Sequence, residues 1–74
     1  MKEQYTVQQA LADYRAMTGG KMPETLAALD DRAFNEAAGL LCELAALAAG
    51  PQTPAVQREM EGCAGELEKL LRHR

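Results

Sequence analysis

From Ala37 to Ala49 the chain reads AAGLLCELAALAA, thirteen residues with one charge, Glu43, before Gly50-Pro51 interrupts it. A membrane-spanning helix needs about 20 apolar residues, so the run is too short to cross a bilayer. It does not alternate with period two, which argues against a strand. Wound at about 100° per residue, Phe34, Ala38, Leu41, Ala45 and Ala48 fall in one narrow arc, and Leu40, Leu44 and Leu47 form a second seam beside it. Asn35, Glu36 and Glu43, with small Gly39 and Ala46, share what is left of the circumference. A helix with two apolar seams needs neighbours on two sides. The Phe34–Ala49 stretch is therefore predicted to be the central helix of an all-α bundle.

The rest of the chain supplies those neighbours. Thr6 and Gln9 fit a capping box, with Val7, Ala10, Leu11, Tyr14 and Met17 following at helical spacing and Gly19-Gly20 as the stop. Pro23 suits the first position of a short helix reaching Leu29, with Leu26 and Leu29 inward. Asp30 reads as the N-cap of the central helix, and Leu29 and Phe34 sit where a hydrophobic staple would place them. A single bent helix over residues 23–49 is the rival. Past Gly50-Pro51, Thr53 caps a last helix with Pro54 at its first position. There Val56, Met60, Cys63, Leu67 and Leu70 repeat at intervals of 4, 3, 4 and 3, widened by Ala64 and Leu71. This two-heptad seam predicts a hairpin with the central helix. Arg72, His73 and Arg74 suit the negative end of the helix dipole. The expected architecture is a single helical domain over residues 1–74, with three main helices and one short one.

Charge and composition narrow the function. The net charge of −3 argues against nucleic acid as a partner, because counterion displacement requires clustered Lys and Arg. The chain has no serine, hence no serine nucleophile. MKEQYTVQQ lacks the apolar core of a signal peptide, and a cytoplasmic, membrane-free protein is expected. Cys42 and Cys63 do not form a zinc motif. In the predicted hairpin they lie at similar heights, so a disulfide is geometrically conceivable; two buried thiols packed as small hydrophobes are the expectation. Glu59, Glu61, Glu66 and Glu68 intersperse with Arg58, Lys69 and Arg72, and Glu68–Arg72 is a favourable i,i+4 pair, so this reads as a solvated face. His73 alone suggests no catalytic arrangement. No residue set calls for a metal or cofactor, and a non-catalytic protein is expected.

What remains is a surplus of apolar helical surface on a chain too short to bury much of it, since a domain near this size buries only about 60% of its unfolded surface. The expected function is a protein–protein interaction module: an adaptor, an assembly subunit or a stoichiometric inhibitor. Its partner is another protein or a second copy of the chain. Leu40, Leu44 and Leu47 are the candidate contact residues wherever their seam is not covered within the chain. Gly62 and Gly65 point outward on the last helix and offer a smooth patch for close backbone approach. Tyr5 and Met22 lie outside the predicted stripes and join the candidates.

Two alternatives stand beside this reading. In size and composition the chain is similar to small acidic helical accessory proteins of phages and mobile elements, including anti-CRISPR-type inhibitors. A small helical DNA-binding transcriptional regulator is the other, although residues 1–35 carry four basic and five acidic side chains and no helix is basic on one face.

Overall fold

The computed structural model describes residues 5–72. Four helices follow in order: α1 (Val7–Thr18), α2 (Glu24–Ala27), α3 (Asp31–Ala49) and α4 (Pro54–Arg72). No strand is present among the described residues. The long helices α3 and α4 pack as a hairpin, α1 packs against both, and α2 rests on α3. The fold is the expected all-α bundle with α3 at its centre. His73 and Arg74 lie outside the described residues.

The helix ends follow local chemistry. Thr6 Oγ1 accepts the Gln9 N–H at 3.2 Å, and Asp30 Oδ1 accepts that of Ala33 at 2.8 Å. Thr53 Oγ1 accepts the Val56 N–H at 3.2 Å. Each satisfies a donor that a helix start leaves without an intrahelical partner. At the end of α1, Lys21 N–H donates to the Ala16 carbonyl at 2.8 Å and Gly20 N–H to that of Met17 at 3.1 Å. This paired closure requires a left-handed residue at Gly20, whose φ is 91°.

The short helix departs from expectation. Residues 23–29 are not helical throughout: Pro23 is extended (φ −62°, ψ 145°) and caps a helix of four residues, Glu24–Ala27. Its carbonyl accepts the N–H groups of Leu26 and Ala27 at 3.1 and 2.9 Å. The chain leaves the helix before Leu29 because Asp30 must be extended (ψ 176°) to cap α3. That requirement also rules out one bent helix over 23–49.

The core consists of Ala10, Leu26, Ala37, Leu41, Leu44, Met60, Ala64 and Leu67. On α3 the deepest residues, Ala37, Leu41 and Leu44, run along the boundary between the two predicted seams. The seams are thus the two flanks of one broad apolar face. Phe34, Ala38, Ala45 and Ala48 are half-buried on one flank, and Leu40 and Leu47 on the other.

Candidate interaction surface

α1 fills one groove of the α3–α4 hairpin. Val7 shares one surface depression with Met60 and Glu61 and another with Ala64 and Gly65, which puts α1 on that side of α4. The opposite groove holds no helix of this chain among the described residues. It has a volume of about 500 Å³, and Leu40 of α3 and Leu70 of α4 line it together with Asn35, Glu36, Gly39, Glu43 and Glu66. Both leucines pack against the core on one side and are half-buried. Glu36, Glu43 and Glu66 are exposed, and among the described residues no Lys or Arg lines the groove.

The acidic character extends along the hairpin. Burial, followed by the carboxylates of Glu43, Glu59 and Glu66, raises the Cys63 thiol above its ordinary pKa. A thiol with a raised pKa is a weak nucleophile at neutral pH. Cys63 is half-buried against the core, whereas Cys42 lies on the exposed face of α3, contrary to the expectation of two buried thiols. Neither is in a disulfide. The reason is angular: on α3 only the arc centred on Ala37, Leu41 and Leu44 is covered, and Cys42 falls outside it.

The predicted contact residues separate accordingly. Leu44 is fully buried and belongs to the core, a correction to its place among the surface candidates. Leu40 and Leu47 flank it at the edge, where each keeps part of its surface in water. Tyr5 also turns inward: it is half-buried and its hydroxyl donates to Asp13 Oδ2. Burial, with the neighbouring carboxylate, raises its phenol pKa well above the ordinary value. Met22 is the one exposed large hydrophobe among the described residues, at 54%. Gly62 and Gly65 are exposed, and a Cβ added at either would meet nothing within 4 Å. The apolar surplus is therefore mostly consumed inside the chain, with its remainder at Met22 and along the Leu40 flank.

Two polar arrangements escaped the sequence reading. Asp13, on α1, is buried at 8% exposure and accepts hydrogen bonds from Tyr5 and from Thr25 Oγ1, the latter at 3.2 Å. It ties the segment before α1 to α2. An acid placed among helical apolar positions signals nothing by itself, since its donors lie eight and twelve residues away. Gln52 Nε2 donates to the carbonyls of Leu47, Ala48 and Gly50 at 3.3, 3.1 and 2.9 Å, closing the end of α3 from the loop.

No group of three or more His, Cys, Asp or Glu residues able to hold a metal ion occurs among the described residues. Among the described residues no helix is long and apolar enough to cross a membrane. The acidic character of α4 is solvent-facing at Glu59, Glu61 and Glu66, and Glu68 pairs with Arg72 at 3.1 Å as its spacing predicts. Comparison with protein-family models, curated proteins and solved structures returned no match.

Proposed function

We propose that this chain is a small non-catalytic protein–protein interaction module of the cytoplasm, working as an adaptor, assembly subunit or stoichiometric inhibitor. The observation that carries the reading is the open groove of the α3–α4 hairpin, where Leu40 and Leu70 are half-covered while the matching groove is filled by α1. A bundle this small gains stability from any apolar surface a partner removes from water, at about 25 cal/mol per Å².

The test is purification of a tagged chain from its source cells, with the mass of the eluted complex measured. A stoichiometric second protein, lost on Leu40→Asp in a variant that keeps its helical circular dichroism, is the expected result. The bait alone at one chain mass, over a wide concentration range, overturns the reading.

A further inference from the structure

The open groove carries information about what fills it. Its floor is apolar, and among the described residues its lining charges are all of one sign: Glu36 and Glu43 on α3, and Glu66 on α4. Glu59 extends the second rim within electrostatic reach of Cys63. The spacing is regular. Glu36 and Glu43 are seven residues apart, as are Glu59 and Glu66; so are Leu40 and Leu47, and Cys63 and Leu70. Seven residues are two helical turns, so each rim repeats its carboxylates at the pitch of its apolar residues.

The molecule itself shows what such a groove accepts, because α1, an amphipathic helix of 12 residues, lies in the equivalent groove on the other side. On α3 the lining residues run from Asn35 to Glu43, about 12 Å of helix, enough to seat about two turns of a partner helix. A second copy of this chain is a poor occupant of the same groove, since it would set glutamates against glutamates, and like charges brought together across an interface are unfavourable.

Resting on the interaction reading above, we infer that the groove lined by Leu40 and Leu70 receives an amphipathic helix of another protein, whose apolar stripe seats on the leucines and whose flanking Lys and Arg residues meet Glu36, Glu43 and Glu66. The partner helix brings cations at the spacing of the rims, so its recognition depends on salt concentration. Its leucine contacts supply the part that salt does not weaken.

The test uses the full chain and three synthetic helical peptides with the same leucine stripe, flanked by lysine, by glutamine or by glutamate. Binding is measured by fluorescence anisotropy at low and high salt. Two chain variants carry the same net charge: Glu43→Gln with Glu66→Gln in the groove, and Glu24→Gln with Glu61→Gln outside it. The expected result is that the lysine peptide binds at least tenfold more tightly than the glutamate peptide. Only the groove variant reduces that preference, by tenfold or more. Equal loss in both variants overturns the inference, because the attraction is then to net charge alone. If all three peptides bind alike and Leu40→Asp abolishes binding, the basic partner is overturned while the interaction surface stands. If no peptide binds, and the chain pairs with itself through a contact broken by Leu40→Asp, the occupant is a second copy and the inference fails. Absence of all binding and all self-association overturns the groove as a docking site, and with it the reading on which the inference rests.

Discussion

The two grooves of the α3–α4 hairpin begin from the same ingredients. Each is floored by alkyl side chains and bordered by carboxylates. On the closed side the occupying helix α1 brings a carboxylate of its own, Asp13, buried at 8% exposure and satisfied by Tyr5 and Thr25. On the open side Glu36, Glu43 and Glu66 remain in water, and no donor of this chain reaches them among the hydrogen bonds of the described residues. Burying an ionised group requires hydrogen-bonding or charged partners. The closed groove has them within the chain; the open groove does not. Hydrophobicity alone does not distinguish the sides, since leucines lie on both. The difference lies in where the partners of the acids come from.

Substitution of a core leucine and of a leucine at the open groove's edge is the largest test of this contrast. Leu44→Ala removes a fully buried side chain and is expected to lower unfolding free energy by about 2–5 kcal/mol. Leu40→Ala, one turn away at the groove edge, should cost about 1 kcal/mol or less, because its side chain keeps part of its surface in water. Urea unfolding curves with unchanged slope measure both. Equal losses at the two positions would mean that the open groove is closed in solution and would break the comparison.

The sequence made the helices and their ends legible because caps and periodicity act over a few residues. Thr6, Asp30 and Thr53 could be named as caps because each bonds an N–H only three residues on. Leu40 and Leu44 were indistinguishable: both belong to one seam, and only the path of α1 and α4 over α3 decides which is covered. Tyr5 looked available for the same reason, since its partner Asp13 is reached only after α1 has formed. Pro23 misled by its ordinary preference for a first helical turn. Here the four-residue helix uses its carbonyl instead. The open groove was half visible, as Leu40 and Leu47 with Glu43 beside them. Its acidic rims emerged only when the hairpin set α4 against α3.

On the closed side, Asp13→Ala leaves the hydroxyls of Tyr5 and Thr25 without their acceptor. The expected loss is about 1–3 kcal/mol. A double-mutant cycle with Tyr5→Phe should give a nonzero coupling energy, whereas additivity would show that the pair does not cooperate. The pH dependence carries a sign of its own. The Tyr5 phenol has a higher pKa folded than unfolded, so the folded chain retains that proton more tightly. Its contribution to stability is complete below the ordinary tyrosine value near 10 and declines as the pH rises beyond it. Stability measured between about pH 9 and 11 should fall more steeply for the wild type than for Tyr5→Phe. Parallel curves would remove Tyr5 from the alkaline limb.

The smallest expected effects separate folding from docking. Gly39 lines the open groove, while Gly65 lies by α1 on the other side of α4. A Cβ at either meets nothing within 4 Å, so alanine at each position should stabilise the helix by about 0.5–1 kcal/mol. As far as the isolated chain is concerned, the two substitutions are equivalent. They cease to be so once a helix occupies the groove, because the methyl group at 39 stands where the incoming backbone must approach, and the one at 65 does not. Gly39→Ala should therefore raise the melting temperature and weaken binding of the lysine-flanked peptide, whereas Gly65→Ala should raise the melting temperature and leave binding unchanged. If Gly39→Ala binds as the wild type does, the occupant sits above the glycine on the leucines alone. The contact surface then shrinks to Leu40 and Leu70 with their flanking carboxylates.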